Sequence, residues 1–459
     1  MSARRVVLVR VAHVALLLTG ALAAAAHASA PLVFTDVNVV AMTDERVLNE
    51  QDVVIEDGRI LRLGDAAPAS RPANAVVIDG RNRYLMPGIA EMHAHVPGPD
   101  RREFAEDVLL LFVAHGVTTI RGMLGHPWHL ELRERIADGE VIGPRLYTAG
   151  PSFNGNTVPD VATAVRMVRE QHAAGYDFLK LHPGLTVATF DAIAATAREV
   201  GIPFEGHVSE AVGLVHALER GQRAIDHLDG YVHALAKDQC ARTRAAGFFG
   251  IGLTPCIDAE RIPQLVAATR RAGTAIVPTQ VLLEQWARPP TEAELRSREA
   301  VKYLPERLIE RWLEARAGFL GLEGLRTEDA RAFIDVRRRL IRELDQAGVA
   351  ILLGSDAPQV FNVPGASAIA ELELYVAAGL TPHRALLTAT AKPAEHFGAG
   401  DRFGSVAVGR EADLLLLAAN PLEDVRALHR LEGVMLRGQW LPRAELDRRL
   451  SELARRQAR

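Results

Sequence analysis

Met86-Pro87-Gly88-Ile89-Ala90-Glu91-Met92-His93-Ala94-His95 joins an apolar run to two histidines spaced two residues apart. Side chains alternate between the faces of a β-strand, so His93 and His95 project the same way from the end of one strand. A single His-x-His is a weak signal, and its weight depends on the rest of the chain. Between residues 85 and 398, short apolar runs alternate with segments of helical period, and eight runs end near His95, Arg121, Ala149, Leu181, His207, His227, Thr279 and Ser355. The stretches between them are long enough for crossover helices. The pattern predicts an α/β protein with eight βα units closed into a (β/α)8 TIM barrel. Barrel enzymes keep their catalytic groups at the C-terminal ends of the strands, which is where the two histidines fall.

The flanks have another texture. Residues 31–84 read as short strands, with Asp57-Gly58 and Asp79-Gly80 as hairpin turns. Residues 399–446 repeat that texture in Gly404-Ser405-Val406, Ala412-Asp413-Leu414-Leu415-Leu416-Leu417 and Gly433-Val434-Met435. A small composite β-sandwich domain built from both chain ends is therefore expected, followed by a helical tail over 447–459. Residues 1–28 combine Arg4, Arg5 and Arg10, an apolar run from Val11 to Ala26 and the small-residue end Ala26-His27-Ala28. This predicts a signal peptide and an exported protein, periplasmic or secreted. Arg4-Arg5 weakly resembles a twin-arginine signal, which leaves two export routes open. The apolar run is shorter than the ~20 residues that span a bilayer, and no later apolar stretch is long enough, so no stable membrane insertion is expected after its removal.

Composition narrows the function. With 459 residues, 48% apolar and 24% charged, the chain has material for a large core, which excludes a disordered or collagen-like protein. Lys and Arg number 53 against 57 Asp and Glu, so no basic excess points to nucleic acid, and a small-molecule substrate is the expected partner. Only Cys240 and Cys256 are present, which excludes a disulfide scaffold and a thiolate zinc cluster. One disulfide in an oxidising compartment and two buried thiols are both compatible with them.

Four further residues end predicted strands: Lys180 in Asp177-Phe178-Leu179-Lys180, His207 in Phe204-Glu205-Gly206-His207, His227 in Ala224-Ile225-Asp226-His227, and Asp356 in Leu352-Leu353-Gly354-Ser355-Asp356. Taken singly, each is as well explained by a buried, hydrogen-bonded core residue. Together with His93 and His95 they place six suitable groups at the ends of five strands. Imidazole and carboxylate donors suit Zn²⁺, and a catalytic site must keep one position for water. His182, Tyr231 and Arg121 are candidates to touch substrate, against a surface histidine, a packed tyrosine and an arginine paired to a barrel acid. Residues 285–340 form a charged, helix-prone stretch with Trp286, Tyr303 and Trp312, compatible with a helical lid or with an elaborated outer helix pair.

His-x-His on strand one, Lys on four, His on five and six, and Asp on eight resemble the amidohydrolase superfamily. Gly143-Pro144-Arg145 and the stretch from Gly404 to Leu414 are similar to that superfamily too. The tail Asn420-Pro421-Leu422-Glu423-Asp424-Val425 is similar to its imidazolonepropionase-like and Xaa-Pro dipeptidase-like group. One departure is Ala90-Glu91, where many members have a branched residue followed by Asp. The resemblance implies two divalent ions, one held by His93, His95 and Asp356, the other by His207 and His227, with a carboxylated Lys180 bridging them. It also implies attack of a metal-bridging hydroxide on an amide, of dipeptide or N-acyl amino acid type, with Asp356 carrying the proton to the departing amine. An alternative is a mononuclear cyclic-amide hydrolase or deaminase, in which Glu210 of His207-Val208-Ser209-Glu210 shuttles the proton. A non-catalytic secreted binding protein would be expected to have lost a ligand, and none of the six is missing.

Overall fold

The structure, a computed structural model, describes residues 30–320 and 326–458; the expected signal peptide lies outside the described residues. The N-terminal strands are β1 (Leu32–Val40), β2 (Val47–Glu56), β3 (Arg59–Asp65), β4 (Val76–Asp79) and β5 (Tyr84–Pro87). The central region supplies β6 (Ile89–Ala94), β7 (Val117–Gly122), β8 (Arg145–Thr148), β9 (Leu179–Leu181), β10 (Phe204–Gly206), β11 (Ala224–Asp226) and β12 (Ala275–Val277). The C-terminal region adds β13 (Leu414–Leu417), β14 (Leu431–Leu436) and β15 (Gln439–Pro442).

The central strands are short, buried and parallel, as expected where helices cover the outer face. They form one sheet of β6, β7 and β8 and another of β9 to β12 in sequence order. Single parallel bridges, Ala149 to Phe178 and Phe153 to Leu181, link β8 to β9. The eighth apolar run is not a regular strand. It makes isolated parallel bridges, Ile351 to Ile276 on one side and Ala357 to Ala94 on the other. The donors Leu352 N to Ile276 O (2.9 Å) and Met92 N to Leu353 O (2.7 Å) use it as a strand would, but Asp356 turns the chain with φ 63°.

Helices pack outside. Residues Val161–Ala174 start where Asp160 accepts from Thr163 N and end at Gly175 (φ 82°), and Val187–Val200 start at a Thr186/Thr189 capping box. In the 285–340 region, Thr327–Gln346 buries Phe333, Leu340, Ile341 and Leu344, so this part is an outer helix packed on the core. Trp286 instead packs against Phe248 and Phe249, and Phe319 lies 6.0 Å from Phe248. Cys240 and Cys256 are bonded, with a Cα to Cα distance of 5.5 Å, which decides between the two cysteine readings.

Both chain ends contribute to one mixed sheet, in the order β15-β14-β13-β5-β1-β2-β3 with β4 beside β1. β13 pairs with β5 on one side and β14 on the other, so hydrogen bonding runs through without a break, and this one continuous sheet folds its ends toward each other, the Phe34 ring lying 5.3 Å from that of Trp440 and Ile60 N donating to Arg410 O (2.9 Å). Asp57-Gly58 makes the expected hairpin turn, both residues having positive φ (47° and 74°). Asp79-Gly80 does not. β4 and β5 lie successively along the same edge of β1, both parallel to it, and a Cβ on Gly80 would fall 2.4 Å from Val37 Cβ. Glycine is needed there for close approach, not for a reversal. Phe34, Val37, Val53, Leu85, Leu414 and Met435 form this sheet's core. Residues Arg443–Gln457 are helical and bury Leu446, Leu450 and Leu453. Among the described residues, no helix is long and apolar enough to cross a membrane.

Candidate metal centre

The six residues singled out from sequence converge at the strand ends. His93 is buried on β6, with Nε2 3.4 Å from Asp356 Oδ1, and His95 Nε2 is 2.6 Å from the same oxygen. His227 Nε2 lies 3.9 Å from Asp356 Oδ2. His93, His227 and Asp356 each offer a donor atom within 4.8 Å of the others, a spacing that a single ion would fit. The imidazoles continue as a row: ring centroids are 5.4 Å apart for His95 and His93, 4.7 Å for His93 and His227, and 4.6 Å for His227 and His207. His207 is held by Nδ1 to Asp229 Oδ2 (2.7 Å) and His227 by Nδ1 to Thr279 Oγ1 (2.7 Å). Fixing one ring nitrogen in this way leaves the other available as a ligand.

Burial sets the protonation. It lowers His93 to about 4 and His227 well below the ordinary imidazole range, so both rings are neutral donors at pH 7. Burial opposes the charge on Asp356, yet His93 and His95 hold its carboxyl far below the usual range. Neutral imidazoles beside an ionised carboxylate form a donor set that a divalent cation satisfies.

Lys180 is fully buried on β9, with Nζ 2.8 Å from Asp226 Oδ2. Its stem runs close to Gly206, where a Cβ would fall 2.9 Å from Lys180 Cδ and 2.5 Å from Leu181 O. His182 follows it, half-buried, with its ring 5.0 Å from that of His207; burial lowers its pKa to about 2.

Two expected substrate contacts are corrected. Arg121 is wholly buried beneath the site: it donates to Met92 O (2.6 Å), pairs with Asp226 (2.9 Å) and is bonded to Glu205. Inward-facing acids on β10 and β11 claim the guanidinium before a substrate can. Tyr231 is buried, with its hydroxyl 2.5 Å from Thr269 Oγ1. Glu210 sits exposed in a turn beside the same cavity as His207, and the next helix begins only at Leu214.

Sequence reading missed Asp226, Asp229, Thr279 and Glu91. Strict alternation would send Asp226 and His227 to opposite faces, but His227 has φ 62°, which breaks the alternation and lets both reach the site. Glu91 accepts from His93 N (3.1 Å), Ser355 N (2.7 Å) and Ser355 Oγ (2.8 Å), tying β6 to the eighth run, and burial pushes its carboxyl up to about 8. The departure at Ala90-Glu91 therefore serves a structural bond under the donors.

Parallel strands with histidine and carboxylate donors gathered at their C-terminal ends define a metal-dependent hydrolase acting on carbon–nitrogen bonds. Residues 84–441 match the amidohydrolase family, and the chain belongs to it. The imidazolonepropionase of Geobacillus kaustophilus is 24% identical over 82% of this chain and 85% of that protein. An adenine deaminase of Nitratidesulfovibrio vulgaris is 26% identical, but this chain spans only 36% of its length. Among solved structures, bottromycin amidohydrolase has a TM-score of 0.70 at 24% identity (92% of this chain, 90% of that one). A Xaa-Pro dipeptidase with bound methionine has a TM-score of 0.66 at 18% identity (90% of this chain, 100% of that one). These likenesses carry a TIM-barrel fold with a β-domain.

Proposed function

We propose that the protein is an exported binuclear amidohydrolase that cleaves an amide bond in a dipeptide or N-acyl amino acid, within a closed eight-stranded barrel completed by residues 351–357. The observation that carries this reading is the continuous row of imidazoles, in which His227 neighbours both the His93/Asp356 cluster and His207. His93, His95 and Asp356 would hold one ion, and His207 and His227 the other. Divalent ions, most readily Zn²⁺, would supply an activated water and polarise the scissile carbonyl.

The buried charge balance makes a Lys180 bridge depend on bound cations. Arg121, Lys180, Asp226 and Glu205 are buried together and sum to zero. Carboxylation of Lys180 replaces a cation with an anion, leaving three buried anions against Arg121, which is costly unless divalent cations lie alongside. Carboxylation is thereby conditional on metal loading. Asp356, kept ionised at the site, accepts a proton from the attacking water and returns it to the departing amine.

Metal analysis of the purified protein, paired with a panel of dipeptides and N-acyl amino acids, tests the reading. Two ions per chain are expected, falling to one or none in Lys180→Ala, with activity lost on chelation. One ion per chain, unchanged in Lys180→Ala, would refute the bridge and favour the mononuclear alternative with Glu210 beside His207.

A further inference from the structure

The disulfide closes a span of 16 residues that the chemistry above does not use. Within it Phe249 adopts φ 50°, ψ 24°, a left-handed conformation unfavourable for a bulky residue. Such conformations persist where the surroundings fix them, and they cluster at functional sites. The fixing is visible. Lys237 N donates to Cys256 O (2.9 Å), Gly252 N to Ala246 O (2.9 Å), and Gly250 (φ 79°) sits so close to Val232 that a Cβ would fall 3.0 Å from Val232 Cβ.

The strained residue points its ring at the donors. The Phe249 ring lies 5.2 Å from that of His227 and 6.5 Å from that of His207. Trp286 lies 5.3 Å from Phe249 and 5.0 Å from Phe248, within the range of aromatic pairing. Phe248 remains 48% exposed. These three rings line a cavity of about 820 Å³ that also takes in His207 and Asp229, and among the described residues no lysine or arginine lines it. Glu210, Glu219 and Asp229 in the lining disfavour an anionic group, whereas an apolar ring would cover the exposed aromatic surface.

We propose that Phe248 and Phe249, within the loop closed by the Cys240–Cys256 bridge, form together with Trp286 a subsite for an aromatic group of the substrate next to the scissile amide. This rests on the amidohydrolase reading and narrows its substrate class. The disulfide acts as a fastener: it fixes a loop whose local backbone is unfavourable, so the rings stay beside the donors.

The test compares kcat/KM for N-acyl amino acids and dipeptides that differ only by phenyl against methyl at the group beside the amide. The holoenzyme is expected to prefer phenyl by about 10–100-fold, the value of burying one ring. Phe249→Ala and Phe248→Ala should lower that ratio by about tenfold, and Cys240→Ser/Cys256→Ser should lower it in the same direction. In parallel, saturable binding of phenylacetamide against acetamide is read from tryptophan fluorescence, with Trp286→Phe as the control. Amide turnover without phenyl preference, or a ratio unmoved by both phenylalanine variants, overturns the subsite and leaves the hydrolase standing. Absence of amide turnover, with phenylacetamide binding that is lost in Phe249→Ala, overturns the hydrolase and leaves the subsite. Absence of phenylacetamide binding to the holoenzyme overturns the subsite.

Discussion

Glu205 sits wholly buried, hydrogen-bonded to His396 Nε2 (2.9 Å) and paired with Arg121. Burial opposes its charge, but His396 and the Arg121 guanidinium hold its carboxyl at about 2, below the ordinary 4.5. A carboxyl with a depressed folded pKa stabilises the protein fully above its unfolded value and loses that contribution as pH falls through the folded value. The window here runs from about pH 4.5 down to about 2, with a contribution on the order of 3 kcal/mol. Glu205→Gln is therefore expected to be clearly less stable than wild type at pH 7 and nearly as stable near pH 2, followed by urea unfolding of the metal-free protein. A difference that stays constant from pH 7 to 2 would mean Glu205 is not buried as an anion. Asp356→Asn tests the proton route: kcat should fall by about 10²–10⁴-fold, and full turnover in that variant would remove the assignment. The principal donors were legible because each combines a suitable residue type with the end of an apolar run. Asp226 and Thr279 were not, because their contacts join different strands and depend on the backbone turns at His227 and Thr279 (φ 62° and 46°). Phe249 was hidden for a related reason: it lies in a loop with neither helical nor strand period.

At the scale of elements, a helix distant in sequence steadies the end of β11. Arg337, inside Thr327–Gln346, donates to His227 O (2.7 Å), Pro278 O (2.7 Å) and Gln280 Oε1 (2.9 Å) while wholly buried. These bonds satisfy carbonyls that the turns after β11 and β12 take out of the sheet. Arg337→Met should leave them unpaired, lowering unfolding free energy by roughly 2–4 kcal/mol and metal affinity by about 10–100-fold. Denaturant titration and competition with a metal indicator measure the two losses, and an unchanged metal affinity would show that the helix braces the fold alone. From sequence this helix belonged to a charged, helix-prone stretch with two open roles. Its inward arginine could not be matched to a partner because two of its three acceptors are backbone carbonyls, which leave no mark in the sequence. The eighth run shows the opposite limit: its apolar residues signalled a strand, but the turn at Asp356 replaces regular pairing with isolated bridges.

At the scale of the whole molecule, the β-rich texture of both ends was plain in the sequence, while the connectivity that merges them was not. β13 lies between β5 and β14, so it is an interior strand of the mixed sheet. Arg145 at the start of β8 pairs with Glu411 and with Asp413 (3.1 Å), joining the catalytic region to that sheet. Ending the chain before Leu414 should expose one edge of β5 and the apolar faces of Leu85 and Phe34, giving aggregated product by size-exclusion chromatography instead of a folded protein. A soluble, metal-binding truncation would show the two regions to be independent.

The same threading imposes a schedule on synthesis. β5 leaves the ribosome long before its partner β13 is translated, a delay on the order of tens of seconds at ordinary elongation rates. During that interval the nascent chain carries an unsatisfied edge and an open apolar face, a ready target for holding chaperones. Only completion of the last strands covers that edge, so a chain released early keeps one side of β5 unpaired.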